Sequence, residues 1–187
     1  MIRFAAGRSR LRSPADRQEL IYATSGSGTL RLDGDEHALV PGTAVHLLPG
    51  EEYEIEGPVA VVSVLAPVDG EPSREAVTVR FDERDEQRAD ENRTFRVLFS
   101  QHVTQFVGIV QPSRAPDHSH PYDEVGYILE GQGVAHIESG EAPLRPGSCF
   151  HLPPDSVHCI ENTGPGVMKI LGVFHPSGSP RQRSYQA

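Results

Sequence analysis

Short runs in which apolar and polar residues alternate recur along the chain, and Gly- and Pro-rich turns separate them. Residues 29–32 and 134–137 are two examples of such alternating runs. This alternation indicates half-buried antiparallel strands, because successive side chains of a strand point to opposite faces. Asp33-Gly34 and Ser139-Gly140 follow these runs and predict hairpin turns, since glycine readily supplies a positive φ. The pattern predicts an all-β protein whose strands form a barrel or a sandwich.

An internal repeat organises these strands. Residues 19–49 align without a gap on residues 124–154, at an offset of 105 positions, and 11 of the 31 aligned positions are identical. Ordinary amino-acid usage gives about two identities in such a stretch. We therefore expect a duplication, with a first repeat in residues 1–68, a charged connector in residues 69–93 and a second repeat in residues 94–187.

The segments outside the aligned repeats are polar. Charged and small residues dominate the connector, which is typical of solvated chain, and one strand is expected in it at residues 77–81. The tail from Ser177, SGSPRQRSYQA, is expected to be at the surface or disordered.

Composition and charge exclude several functional classes. A net charge of −9 leaves no basic face for a nucleic-acid backbone, so nucleic acid is not an expected partner. No apolar run approaches the roughly 20 residues of a membrane span, and the first residues lack the apolar core of a signal peptide. We expect a cytoplasmic protein, away from membranes, in which Cys149 and Cys159 are reduced thiols. Serine-hydrolase elbows and phosphate-binding glycine loops are missing as well.

The second repeat contains residue types that bind metals. His118 and His120 are two positions apart, so in an extended segment both side chains point to the same face. Glu124 follows after Pro121, which bends the chain, and His158 comes from a later strand. The alternative is that these histidines are separate surface or core residues, but that reading does not account for the spacing of all four.

Three neutral imidazoles and one carboxylate suit Zn, Fe(II), Mn, Ni, Co or Cu, and they do not suit Ca or Mg. Four protein ligands on an ion that prefers six leave positions for water or substrate. The sequence therefore predicts one divalent transition metal per chain, bound by His118, His120, Glu124 and His158.

This segment resembles the two conserved motifs of the cupin superfamily. The first motif, G-x5-H-x-H-x3-4-E-x6-G, matches at His118, His120, Glu124 and Gly131, with Pro112 in place of the first glycine. The second, G-x5-P-x-G-x2-H-x3-N, matches at Gly147, Pro153, His158 and Asn162, with Asp155 in place of the middle glycine. The resemblance implies a bicupin, with two double-stranded β-helix (jelly-roll) barrels and a metal site in the second.

The first repeat departs from this pattern. Under the same offset, Ser13 and Ala15 stand where the second repeat has its paired histidines, and Tyr53 stands where it has the third. Only Glu19 remains, and one carboxylate does not hold a transition metal alone. We expect the first repeat to be metal-free and structural. The alternative is a second ligand pocket with Tyr53 or Glu19 as its polar anchor.

Further polar residues of the second repeat are candidates for the site. Gln105 lies in a strand that precedes the histidines, and we assign it, with Tyr127 and Glu124, as a candidate catalytic residue. The alternative for Gln105 is a solvent-facing side chain. Tyr122 and His175 are further candidates for neighbours of the ion.

Three other side chains are assigned outside the metal site. Arg114 is a candidate for receiving an anionic substrate. His151 has a counterpart in the first repeat, His46, which indicates a role in the shared fold. Cys159 is adjacent to a predicted ligand, so strand alternation points it away from the ion.

The resemblance implies function only broadly, because cupins include dioxygenases, isomerases, decarboxylases, lyases, storage proteins and sensors. We expect a metal-dependent enzyme that acts on a small organic substrate by dioxygenase-type chemistry, ahead of sugar isomerisation or lyase chemistry. The competing hypothesis is a non-catalytic module that binds or senses a small ligand. A homodimer of whole chains remains open.

Overall fold

The protein is built almost only from β-strands. A computed structural model describes residues 2–3 and 7–185, and the chain divides into two compact units, Met1–Arg84 and Asp85–Ala187. In the described residues the helical structure is a single 3₁₀ turn at Phe81–Glu83. The same residues contain no helix with the length and hydropathy of a membrane span.

The first unit consists of two sheets. Its strands are β1 (Ile2–Arg3), β2 (Gln18–Gly26), β3 (Gly28–Leu32), β4 (Asp35–Leu39), β5 (Thr43–Leu47), β6 (Tyr53–Glu56), β7 (Val59–Ala66) and β8 (Thr78–Arg80). Sheet A has the order β1-β7-β2-β5-β8, and sheet B has the order β4-β3-β6. Apolar residues of both sheets, such as Ile21, Val45, Leu30 and Ile55, pack into one core.

The second unit also consists of two sheets. Its strands are β9 (Gln87–Arg88), β10 (Arg93–Ser100), β11 (Thr104–Val110), β12 (Ser113–Arg114), β13 (His118–Ser119), β14 (Asp123–Glu130), β15 (Gly133–Ile137), β16 (Gly140–Leu144), β17 (Cys149–Leu152), β18 (His158–Asn162), β19 (Met168–His175) and β20 (Ser184–Tyr185). Sheet C has the order β17-β14-β19-β11-β10-β9, and sheet D has the order β16-β15-β18-β13-β20, with β12 also paired to β18.

The sheets are open in the described part of the chain, since no strand order returns to its first strand. The prediction of an all-β protein is confirmed, whereas the prediction of two closed barrels is not. Each unit is a pair of facing open sheets of the jelly-roll type. In the second unit, Val110, Ile128 and Ile170 of sheet C pack against Ala135 and Leu144 of sheet D.

Strands of the two units correspond at the offset found in the sequence. Strands β3 and β4 become β15 and β16 when 105 is added to their residue numbers. Strand β2 pairs with β5 in the same register as β14 with β17, for Glu19 lies opposite Leu47 and Glu124 lies opposite Leu152. Both long strands also have a register shift at the equivalent position, between Ala23 and Ser25 and between Ile128 and Glu130.

The hairpin turns match the sequence prediction in one unit and differ by one residue in the other. Asp33 and Gly34 form the two-residue loop between β3 and β4, and both have a positive φ. In the second unit the loop is Glu138-Ser139, and Gly140 is already paired with Ile137 as the first residue of β16. The prediction of a Ser139-Gly140 turn is therefore wrong, because the loop follows the strand register and not the position of the glycine.

One glycine of each repeat is required by a close approach of two strands. A Cβ on Gly133 would lie 2.0 Å from the carbonyl oxygen of Glu161, and a Cβ on Gly28 would lie 2.4 Å from that of Glu56. Neither glycine has a positive φ, so the constraint is the space between neighbouring backbones. This explains why the two repeats share this glycine.

Replacing Gly133 by alanine tests this close approach. The added Cβ forces β15 away from β18, and we expect Gly133→Ala to lower the free energy of unfolding by about 1–3 kcal/mol, as overpacked interiors do. Urea denaturation followed by circular dichroism measures the change. Gly166→Ala is the matched control, because a Cβ there meets nothing within 4 Å. Equal losses of stability in both variants would contradict the steric explanation.

Candidate metal centre

Three histidines of the second unit converge between its two sheets. His118 on β13 and His158 on β18 lie directly opposite each other in sheet D, and His120 follows two residues after His118. One ring nitrogen of each histidine lies within 4.8 Å of the other two. The residues are 7%, 5% and 3% exposed for His118, His120 and His158. Burial and convergence together make this group a candidate metal centre.

Glu124 adds a carboxylate from the opposite sheet. It is the second residue of β14 in sheet C, and it is 9% exposed. Its Oε2 lies 3.4 Å from His158 Nε2 and 3.7 Å from His120 Nε2, and it has no hydrogen-bond partner in the described residues. Buried polar atoms rarely remain unpaired, so this oxygen fits a position that faces a cation.

Backbone carbonyls orient all three imidazoles. Each ring is placed so that its Nδ1–H donates to a carbonyl oxygen, which directs Nε2 with its free electron pair to the centre of the group. The Nδ1 bonds are His118 to Pro116 (2.9 Å), His120 to Gln182 (2.7 Å) and His158 to Ser156 (2.9 Å). This is the tautomer that metal-ligating histidines use, so the donor set fits a transition metal.

The ionisation of the group also suits a metal. Burial lowers the pKa of His118 to about 4, and it lowers the pKa of His120 as well. Burial disfavours a charge on His158 too, but contact with Glu124 outweighs it and raises the pKa of His158. Burial would raise the pKa of Glu124, yet the neighbouring His158 outweighs it and the pKa lies below its ordinary value. Glu124 is therefore ionised, while His118 and His120 are neutral at neutral pH.

Asp155, one of the two departures from the expected motif pattern, keeps the local turn geometry. Asp155 stands where the motif has a glycine, and it has a φ of 62°. Aspartate tolerates this left-handed conformation better than most residues. Its N–H donates to the carbonyl oxygen of His120 at 2.7 Å, which ties the turn to the ligand segment.

Asn162, the last residue of the second motif, stabilises a loop and does not face the metal centre. Its Nδ2 donates to the carbonyl oxygens of Val110 and Gly166, both at 2.8 Å, and its Oδ1 accepts from the N–H of Gly164 at 2.9 Å. The asparagine therefore has a structural role in the turn between β18 and β19.

The C-terminal tail packs over the histidines, a contact that the sequence did not predict. We call residues 177–185 the C-terminal strap; residues 186–187 lie outside the described residues. Strand β20 of the strap pairs with β13, which places Tyr185 opposite His118. The Tyr122 hydroxyl donates to the carbonyl oxygen of Ser179 at 2.5 Å. The strap is at the surface, as expected, since Arg181, Gln182, Ser184 and Tyr185 are exposed. It is nevertheless an ordered part of the site, because its backbone carbonyls hold His120 and Tyr122.

Two aromatic side chains pack against the His120 ring. The Tyr122 ring stacks on the His120 ring with centroids 5.2 Å apart and an interplanar angle of 13°. Phe174 contacts both rings, at 5.2 Å from His120 and 4.5 Å from Tyr122. Of the predicted neighbours, Tyr122 therefore does lie at the centre, where it positions a ligand.

A cavity of about 80 Å³ adjoins the histidines. His118 and Glu124 contribute to its wall, and most of the remaining wall is apolar. The principal apolar residues are Phe95, Phe106, Val110, Ile160 and Ile170. Two arginines, Arg93 and Arg183, also face the cavity. Neither arginine belongs to a motif, so neither was expected at the site from the sequence.

The structure does not bring Gln105 and Tyr127 together with Glu124. Across sheet C, Glu124 lies opposite Phe174, whereas Gln105 lies opposite Val173 and Tyr127 lies opposite Leu171. Because side chains alternate along a strand, Gln105 and Tyr127 point to the opposite face of the sheet. Gln105 is nevertheless buried, not solvent-facing.

The remaining candidates also lie outside the cavity. His175 pairs with Asp123 and so belongs to the opposite face as well. Arg114 is about half exposed and forms an ion pair with Asp117 at 3.4 Å, so it does not contribute to the cavity wall. Cys159 lies opposite His136 on the other face of sheet D, as strand alternation predicts.

The equivalent place in the first unit is closed by hydroxyl groups. The Tyr53 hydroxyl donates to Glu19 Oε2 at 2.8 Å and accepts from Arg12 Nε at 3.0 Å, and the Ser63 hydroxyl donates to Glu19 Oε1. Within residues 7–185, the only group of three or more potential metal ligands is the histidine group of the second unit. A buried glutamate is thus present in both units, but only in the second is it surrounded by imidazoles.

A cupin-domain family model matches residues 106–174, which contain all four residues of the candidate centre. Two curated relatives match shorter segments. An uncharacterized protein of Methanocaldococcus jannaschii is 35% identical over 54 residues, and an auxin-binding protein of Nicotiana tabacum is 34% identical over 62 residues. The first match covers 29% of this chain and 43% of its relative, and the second covers 28% of this chain and 33% of its relative. Both matches therefore span less than half of the relative's length.

Solved structures resemble a larger part of the chain. Bacillus subtilis oxalate decarboxylase aligns with 98% of this chain and 69% of its own, with a TM-score of 0.76 and 13% identity. AerE from Microcystis aeruginosa aligns with 92% of this chain and 84% of its own, with a TM-score of 0.80 and 13% identity. At this identity the likeness shows a shared fold and does not show a shared activity.

The hydroxyl network of the first unit can be tested by removing one oxygen. Tyr53→Phe removes one of the two hydroxyl donors of the buried Glu19 carboxylate and leaves Oε2 without its donor, so we expect the free energy of unfolding to fall by about 1–3 kcal/mol. Urea denaturation measures this, and elemental analysis should show an unchanged metal content. Tyr185→Phe is the control, because that side chain is exposed. A loss of metal in Tyr53→Phe would show that the first unit participates in metal binding.

Proposed function

We propose that the second unit binds one divalent transition metal through His118, His120, Glu124 and His158, and acts on a small organic substrate in the adjacent cavity. The observation that carries the proposal is the convergence of three buried histidines with Glu124, from two sheets, beside a cavity whose wall includes His118 and Glu124. A bound metal would supply a Lewis acid that polarises a substrate oxygen or activates dioxygen.

The donor set supports Mn, Fe, Ni, Co, Cu or Zn as the metal. Manganese is supported by a fold relative as well, since the oxalate decarboxylase structure is described by its Mn(II) centres. The chain's own contribution is to keep His118 and His120 neutral, to orient all three imidazoles through backbone carbonyls, and to limit access of water with a largely apolar wall. These features favour chemistry on a substrate that enters a dry, preorganised site.

For the reaction we propose dioxygenase-type chemistry, which the motif resemblance and the apolar cavity support. Sugar isomerisation is less favoured, because a cavity of about 80 Å³ is small for a sugar and most of its wall is apolar. Lyase chemistry is the enzymatic alternative, supported by the oxalate decarboxylase fold. A non-catalytic role is the second candidate, and one observation favours it: the segment that resembles an auxin-binding protein points to small-ligand binding.

We also propose that the two units arose by duplication, as a metal-free first repeat joined to a metal-binding second repeat. The strand correspondence at an offset of 105 residues supports this proposal. The boundaries at residues 68 and 94, the cytoplasmic location and a homodimer remain predictions.

Removing two ligands tests the metal centre. His118→Ala with His120→Ala should reduce bound metal to a small fraction of that of the wild type, because two of four donors are lost, while the β-type circular dichroism spectrum is retained. Elemental analysis of purified protein measures the metal. His151→Ala is the matched control, since this exposed histidine pairs with Asp123 and lies outside the centre. Full stoichiometric metal in the double variant would refute the ligand assignment.

The reaction class can be tested on anaerobically purified protein. Elemental analysis should identify iron or manganese, and an oxygen electrode should detect oxygen uptake that depends on an added substrate from a panel of small thiols, catechols and short-chain carboxylic acids. Wild-type uptake should disappear in Glu124→Gln, because this change removes the ligand carboxylate. Metal binding with no uptake and no turnover across the panel would favour the non-catalytic candidate.

A further inference from the structure

Two arginines line the cavity beside the candidate metal centre, and both are nearly buried. Arg93 begins β10, and Arg183 belongs to the C-terminal strap. Their side chains are 10% and 8% exposed. Both arginines contribute to the cavity wall that also contains His118 and Glu124. A buried guanidinium is costly unless its charge is compensated.

A single carboxylate is shared between the two guanidinium groups. Asp90 Oδ2 lies 2.9 Å from Arg183 Nη1, and Asp90 Oδ1 lies 3.6 Å from Arg93 Nη1. Burial opposes ionisation of Asp90, but Arg183 and the N–H of Asn92 outweigh it and its pKa is lowered. Around Asp90, two positive charges thus face one negative charge. The other carboxylate of the cavity wall, Glu124, faces the histidines, where the proposed metal would compensate it.

The arginines also retain unused hydrogen-bond donors. Each guanidinium has about five N–H groups. Besides their contacts with Asp90, Arg93 donates to the carbonyl oxygen of Ile160 at 3.2 Å and Arg183 donates to that of Pro180 at 2.8 Å. The bonds in the described residues therefore do not exhaust the donors of either group. A carboxylate matches such donors in both charge and planar geometry.

The rest of the cavity wall indicates which ligand would fit beside the arginines. Phe95, Phe106, Val110 and Ile170 offer apolar surface. A cavity of about 80 Å³ has room for only a few non-hydrogen atoms. The wall therefore favours a small molecule with one anionic end and one apolar end.

We propose that Arg93 and Arg183 bind the carboxylate of a short-chain carboxylic acid whose apolar body occupies the cavity beside His118 and Glu124. The inference rests on the proposed function, because it names the substrate class of that site. It further assigns the C-terminal strap a role in binding, since Arg183 reaches the cavity only while the strap is in place. The bound carboxylate then holds the strap over the site through its contact with Arg183.

A purely structural role for Arg183 is the competing explanation. In that case its ion pair with Asp90 fixes the strap and no ligand carboxylate is involved. The two explanations differ in what they predict for ligand charge: a structural ion pair gives no preference between a carboxylic acid and its neutral amide. The acid and amide of one carbon skeleton therefore discriminate between them.

The experiment uses the full-length metal-loaded protein in a buffer free of carboxylates. Isothermal titration calorimetry compares butyrate with butyramide. We expect butyrate to bind at least about tenfold more tightly, because charge-assisted bonds to arginine are lost with the amide. Butyrate, but not butyramide, should also slow proteolysis of the strap.

Arg183→Gln should weaken butyrate binding about tenfold or more and leave metal content unchanged. Arg181→Gln is the matched control, because Arg181 is also in the strap but bonds to the carbonyl oxygen of Arg88 and stacks on the Phe95 ring. This control should bind butyrate as the wild type does. Equal weakening in both variants would overturn the specific role of Arg183.

If Arg183→Gln does not fold, the comparison of acid and amide is made on wild-type protein from which the metal has been removed, because a carboxylate then has no metal ion to bind and a preference for the acid reports on the arginines. Equal affinities, or no binding of butyrate by fully metal-loaded protein, would overturn the proposal and leave the metal centre intact. If the protein binds no metal, the proposed function fails, and a preference of the metal-free protein for butyrate over butyramide would still support the arginine pair.

Discussion

The burial of Glu124 is the constraint on which the candidate site depends. An ionised carboxylate between two sheets requires compensation, and in the described residues Oε2 faces only the nitrogens of His120 and His158 at distances too long for strong hydrogen bonds. Those imidazoles offer lone pairs, because their Nδ1–H groups donate to backbone carbonyls. A cation would compensate lone pairs and a carboxylate that converge on one point. The buried carboxylate therefore explains both why the imidazoles are arranged around it and why a metal is proposed there.

The residues that the sequence predicted well are those whose positions follow from local chain geometry. His118 and His120 share a face because an extended segment alternates, and Gly133 recurs at the offset of 105 because two backbones meet there. One of the two missing motif glycines is also accounted for locally, since Asp155 adopts a left-handed conformation. The all-β class and the four convergent side chains were therefore predictable from the chain, whereas whether the sheets close depends on pairing between distant strands.

The residues that the sequence misplaced depend on contacts remote in the chain. Gln105 and Tyr127 lie in strands that were expected, but the register with β19 turns them to the face opposite Glu124. The C-terminal strap was missed for a different reason. Its contacts with the site come largely from the carbonyl oxygens of Ser179 and Gln182, and a backbone carbonyl has no residue-specific signature. Arg183 depends on the same docking, which explains why no motif indicated it.

The two units compensate the same buried glutamate in different ways. Glu19 and Glu124 occupy equivalent registers, but hydroxyl groups of Tyr53 and Ser63 donate to Glu19, whereas Glu124 faces imidazoles. A hydroxyl satisfies a carboxylate with its own hydrogen, so the first site needs no cation. Restoring a histidine at residue 53 alone supplies too few ligands, because Ser13 and Ala15 still occupy the places of the paired histidines. The proposed metal binding therefore depends on a few side chains. The arrangement of strands that the two units share neither requires nor prevents it.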